Sequence, residues 1–137
     1  MPKRRPYDHA PGCSVEAALN LINGRWKGVI LYHLLDGVQR FNELHRHLPG
    51  CSARLMVKQL RELESDGFIH REVYAEVPPR VEYSLTEEGR SIEPLLMQLR
   101  DWGDGWLLRR GMSTYSEMDE KRRQDAQKIK SDPAGLY

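Results

Sequence analysis

Between Ser52 and Tyr83 the chain reads SARLMVKQLRELESDGFIHREVYAEVPPRVEY, and no other stretch limits its fold as tightly. Apolar residues at Met56, Leu60 and Leu63 recur at helical spacing, with Leu55 and Gln59 at the margin of the stripe. Arg54, Lys58 and Arg61 fall away from it. Gly67 stops the helix, and a partly alternating run from Phe68 to Tyr74 follows. Pro78 and Pro79 cannot donate ladder bonds, so they belong at the tip of a hairpin that returns from Val81 to Leu85. A cationic helix beside a two-stranded ribbon suits the major groove of duplex DNA, with the ribbon on the adjacent backbone.

The chain's 137 residues are enough for one domain with its own core. A formal net charge of +1 argues against a nonspecific polycation, so charge placement matters more than the total. From Gly37 to Arg61 stand five basic residues, Arg40, Arg46, Arg54, Lys58 and Arg61, against the single acid Glu43. No apolar run approaches bilayer length, and the basic triplet Lys3, Arg4 and Arg5 is not followed by an apolar core, so neither a membrane span nor a signal peptide is expected. The expected location is the cytoplasm, where Cys13 and Cys51 rest as thiols. Two cysteines cannot complete a structural zinc site, and a spacing of two sets His45 and His47 on different sides of a helix. Neither metal nor cofactor is expected. With no nucleophile triad, phosphate loop or carboxylate pair, the chain does not read as an enzyme.

The expected fold is mainly α with a small β-hairpin, a winged helix-turn-helix. Residues 1–12, with three prolines, read as a loose arm. A first helix is expected over Val15–Ile22, capped by Ser14, and a second over Arg25–Leu35 with Trp26, Val29, Ile30, His33 and Leu34 facing inward. A short strand at Arg40–Phe41 precedes a third helix marked by Phe41, Leu44 and Leu48. Pro49-Gly50 then leads to the helix over Ala53–Asp66, capped by Ser52, and the two make a helix-turn-helix. Thr86 caps a last helix over Glu87–Arg110, which Pro94 either bends or divides. Residues 13–111 form the domain; 112–137 read as a charged helix or tail.

Ordered motifs carry a resemblance to a known family. They are Cys13, then Ile22-Asn23-Gly24-Arg25-Trp26-Lys27, Arg40-Phe41-Asn42-Glu43-Leu44, Leu48-Pro49-Gly50, Gln59-Leu60-Arg61-Glu62-Leu63, Asp66-Gly67, the run from Val77 to Thr86, and Gly89. On these the segment from Cys13 to about Gly111 resembles the HxlR family of bacterial transcription regulators, winged-helix relatives of the MarR group. The resemblance implies a cytoplasmic, nucleoid-associated homodimer on a two-fold related operator, with repression the commoner habit. Cys51 stands where the family usually has an aliphatic residue, and the last 26 residues lie outside the pattern.

Each candidate residue has a functional and a plainer reading. Arg54 and Lys58 share one helix face and suit guanine edges or phosphate. Val57 or Ala53 suits a thymine methyl, and Ser52 with the first amides of the helix suits phosphate. Arg61 lies on the same side; the plainer reading is a solvated face. Arg80 either reaches the minor groove or a phosphate, or pairs internally with Glu76 or Glu82. Arg25, Lys27 and Arg40 either touch the DNA backbone or stand in solvent. Leu19 and Ile22 on the first helix and Leu95, Leu99, Trp102 and Trp106 on the last form stripes that a second copy would bury. The alternative is that the C-terminal tail folds over them.

Cys13, at a helix start, suits a thiolate that senses an oxidant or electrophile, a role the family often gives this position. The alternative is an inert thiol beneath the dimer. Cys51 is expected half-buried in the turn, and a bond from it to Cys13, within or between chains, would change the spacing of the reading helices. The competing functional reading is a winged-helix protein-interaction module without DNA readout.

Overall fold

The computed structural model describes residues 13–114 together with 120 and 124. Its elements run α1 (Ser14–Leu21), α2 (Lys27–Leu34), β1 (Gln39–Arg40), α3 (Phe41–Arg46), α4 (Ala53–Ser65), β2 (Ile69–Tyr74), β3 (Arg80–Leu85), α5 (Glu87–Arg90) and α6 (Glu93–Arg109). Two compact units divide the chain, Met1–Pro94 and Leu95–Tyr137. The 1–12 arm and nearly all of the C-terminal tail fall outside the described residues. No helix among the described residues is long and apolar enough to cross a membrane.

In the first unit α2 is the central rod. Its Ile30, Leu31 and Leu34 are completely buried, joined by Leu44 and Leu48 around α3 and by Met56, Leu60 and Leu63 from α4. The inward face of α4 is the one its 3.6-residue period dictates. Ser52 caps α4, its Oγ accepting the Leu55 amide at 3.1 Å. At the other end Gly67 takes φ +83°, a left-handed turn that glycine enters without Cβ strain. The Phe68 amide then reaches back to the Leu63 carbonyl at 3.0 Å, and the chain enters β2.

The sheet is antiparallel in the order β1-β3-β2. β2 pairs with β3 from Ile69 opposite Leu85 to Tyr74 opposite Arg80, so residues 75–79 form the tip. The Val77–Pro78 peptide is cis. β1 pairs on the other edge, Gln39 with Tyr83 and Arg40 with Glu82. The winged helix-turn-helix expected from the sequence is thus the fold, mixed α and β.

Several boundaries differ from expectation for identifiable reasons. Cys13 rather than Ser14 is the extended residue before α1, and its carbonyl accepts the Ala17 amide at 2.9 Å. Ser14 therefore lies inside the helix. α2 starts at Lys27, because Gly24 at φ +78° turns the chain and leaves Arg25 and Trp26 in that turn. The short strand is one residue earlier than expected, since Phe41 already begins α3. The long last helix is two: α5 stops at Arg90, and Pro94 is the second residue of α6. Proline has no amide to donate and would collide with the carbonyl four residues back in a continuous helix, whereas a first turn accepts it.

Candidate nucleic-acid interface

α4 presents Arg54, Lys58 and Arg61 exposed on the side opposite Met56, Leu60 and Leu63, with Val57 half-buried between the two faces; Ala53, the first residue of the helix, is exposed but in line with Met56 and Leu60. Among the described residues no carboxylate lies within ion-pair distance of Arg54, Lys58 or Arg61. Three solvated cations on one helical face, uncompensated, attract a polyanion. Ser52 is exposed at the head of the same helix, its hydroxyl oxygen already accepting from Leu55.

Packing on the opposite side holds α4 in place. Lys27 of α2 is buried, and its Nζ sits 2.6 Å from Oε2 of Glu62 on α4. This corrects both readings of Lys27, as a backbone contact or as a solvated charge. The signal was in the sequence: Lys27, Ile30, Leu31 and Leu34 follow the i, i+3, i+4, i+7 pattern of one face. Behind the turn between α3 and α4, the rings of His33 and His47 stack with centroids 4.4 Å apart. Nε2 of His45 lies 2.6 Å from the Cys51 carbonyl.

On the hairpin, Arg80 is held internally. Its guanidinium meets Glu76 at 3.2 Å and Glu82 at 3.3 Å, and stacks 3.9 Å above the Tyr74 ring. The internal pairing left open by the sequence is therefore present, with both acids at once. Glu82, the largest influence, pushes the Tyr74 hydroxyl above its ordinary range. Arg40 is exposed at the cap of α3, where its amide donates to Glu43 Oε1 at 3.0 Å. Arg40, Phe41, Arg46, Glu76, Pro78 and Arg80 border an open cleft of about 770 Å³ between α3 and the hairpin tip.

The two thiols differ. Cys13 is exposed, and the backbone amides of Glu16 and Val15 at the start of α1 draw its thiol below the ordinary range. Cys51 is only 5% exposed, not half-buried as expected, and its Sγ faces the Ser52 carbonyl at 3.6 Å. Burial pushes that thiol up, against a smaller opposing pull from Arg25. Iodoacetamide near neutral pH is therefore expected to label Cys13 in the native protein and to reach Cys51 only after denaturation. Peptide mass mapping reads this directly, and prompt native labelling of Cys51 would contradict it.

The apolar stripes are open in the single chain. α1 has no buried residue; Leu19 is 59% exposed and Ile22 half-buried. On α6, Leu95, Leu99, Trp102 and Trp106 are all exposed, Trp102 at 68%, and the Arg110 guanidinium covers one face of Trp106 at 4.0 Å.

Comparison with known proteins places these features in a wider group. Residues 21–111 match the model of the HxlR-like helix-turn-helix family. The helix-turn-helix-type transcriptional regulator YybR of Bacillus subtilis (strain 168) is 52% identical over 102 residues, 74% of this chain and 82% of YybR. The solved redox regulator HypR, in its reduced form, is 54% identical with a TM-score of 0.65, over 66% of this chain and 90% of that one. The reduced transcriptional regulator YodB of B. subtilis is 33% identical with a TM-score of 0.60, over 68% of this chain and 91% of that one.

Proposed function

We propose that this chain, which belongs to the HxlR-like helix-turn-helix family and is a transcriptional regulator, acts as a homodimeric repressor of a two-fold related DNA operator. The observation that carries this reading is the row of uncompensated cations on α4. Each subunit sets α4 in a major groove: Arg54 and Lys58 meet base edges or phosphates, Val57 and Ala53 meet thymine methyls, and Arg61 and Arg40 meet the backbone. Ser52 and the first amides of α4 add a phosphate contact. Arg80 takes part by bracing the hairpin that lies on flanking DNA.

A second copy buries the open stripes of α1 and α6, including Leu19, Ile22, Leu95, Leu99, Trp102 and Trp106. The two reading helices then stand about one DNA turn apart, roughly 34 Å. Binding needs both at once, so a shift of a few ångströms between them releases the operator. Cys13 supplies the trigger: an oxidant or electrophile modifies its thiolate and alters that separation. The likeness to HypR, a redox regulator known in reduced and oxidised forms, supports this.

Selection of genomic fragments retained by the protein, with and without a thiol oxidant, tests the whole reading. Retention is expected at about 50 mM salt, falling steeply as salt rises, because bound phosphates release counterions. Oxidant is expected to release the wild type but not Cys13→Ser. A protein that ignores every duplex at low salt refutes DNA binding. A Cys13→Ser variant that still loses its operator on oxidation refutes the trigger, and a monomeric mass in solution refutes the dimer.

A further inference from the structure

Glu62 occupies a place on α4 where a carboxylate should hinder DNA binding. It lies one helical turn beyond Lys58, the i, i+4 spacing at which opposite charges pair, and is 41% exposed by its side chain. Free, it would either neutralise Lys58 or set a negative charge beside the cationic row, against the phosphates. It does neither. Its Oε2 is drawn to Lys27 Nζ at 2.6 Å, and Lys58 has no carboxylate in ion-pair range among the described residues. Lys27 is held for this task, since α2 buries its stem on the face that also carries Ile30, Leu31 and Leu34.

We infer that Lys27 is a positioning residue for DNA binding: it sequesters the Glu62 carboxylate and so leaves Lys58 free for phosphate. The inference rests on the proposed contact between α4 and DNA and deepens it, by naming a residue on the far side of α4 that sets the charge presented to the groove. It differs from a packing role in one respect. A packing role depends on filling the space Lys27 occupies, whereas this role depends on what Glu62 does once Lys27 is gone.

The test is a double-mutant cycle on a labelled mixed-sequence duplex of about 30 base pairs, roughly three helical turns, titrated at graded salt. Methionine in place of Lys27 keeps the stem's bulk and removes the charge. Lys27→Met is expected to bind about tenfold more weakly at low salt and to lose about one unit of salt slope per subunit, as for one lost phosphate contact in each. Adding Glu62→Gln to Lys27→Met is expected to restore both to within about twofold, because the offending charge is then absent, while Glu62→Gln alone binds within about twofold of the wild type; an equal gain from Glu62→Gln in both backgrounds overturns the inference. Lys27→Arg is expected to bind like the wild type. Thermal melts followed by circular dichroism run alongside; should Lys27→Met fail to fold, Lys27→Gln serves the same comparison.

Wild-type affinity for Lys27→Met, or a double variant as weak as the single one, overturns the inference. If the wild type binds and the cycle shows no rescue, this inference alone fails. A wild type that ignores the duplex sinks the DNA reading and this inference with it.

Discussion

If Arg54 reads a base in the proposed two-fold dimer, Arg54→Ala is expected to weaken operator binding by about 2–6 kcal/mol, since a base-reading arginine accounts for about 1–3 kcal/mol and such a dimer loses two of them. Arg54 stands exposed in the first turn of α4, without an internal ion pair among the described residues, so its guanidinium is free to fork onto a guanine edge. The signature is selective loss: the selected operator weakens strongly, random duplex only slightly. Lys58→Ala should differ, weakening all duplexes alike and flattening the salt slope by about one unit per subunit. Equal losses on operator and random DNA from Arg54→Ala would reduce it to one more phosphate contact.

Gly89→Ala is expected to destabilise the fold by about 3 kcal/mol, the upper end for an overpacked core, and to lower the melting temperature by roughly 10 °C or more. The reason is steric. A Cβ on Gly89 would overlap the Phe68 carbonyl and press on Leu85 Cδ2 at 3.3 Å. That carbonyl has little room to move, since it accepts the Thr86 amide at 3.0 Å while Thr86 Oγ1 donates to the Gly67 carbonyl at 2.6 Å. The same Oγ1 accepts the Gly89 amide at 3.0 Å. Thr86 and Gly89 together clasp the end of α4 to the base of the hairpin. A melting temperature within a degree or two of the wild type would show that this junction yields more easily than its hydrogen bonds imply.

Much of the winged fold could be read from residue order, because its elements carry strong local signals. α4 has an N-capping serine, a clear 3.6-residue stripe and a closing glycine, and its expected and observed bounds agree to within a residue. The hairpin followed from two prolines that can only sit at a tip. Tertiary contacts were less visible. Nothing local distinguishes Lys27 as a buried partner of Glu62 except its place on the inward face of α2, and a charged residue there invites the opposite reading. Arg80 similarly left two outcomes open, because a guanidinium between two glutamates pairs with them only if strand register brings all three together. Arg80 and Glu82, two apart, share one face of β3, but Glu76 lies in the tip outside the ladder, and only the fold of that tip brings it onto Arg80 as well. The division between α5 and α6 was half legible: Pro94 marked the place, but a bend and a break predict the same composition.

The two-residue strand β1 is small, but it has a mechanical consequence. Gln39 and Arg40 stitch the start of α3 to the outer edge of β3, opposite the edge that β2 occupies. The ribbon is thereby riveted to the helix pair instead of swinging on the Gly67 corner, and the two prongs behave as the fixed jaws of a caliper. A base pair inserted within one half of the binding sequence turns the DNA by roughly 35°, at about ten pairs per turn, and rigid jaws cannot follow that rotation. In the proposed complex, a pair added between the α4 contact and the ribbon contact of one half should therefore abolish the fit of that half.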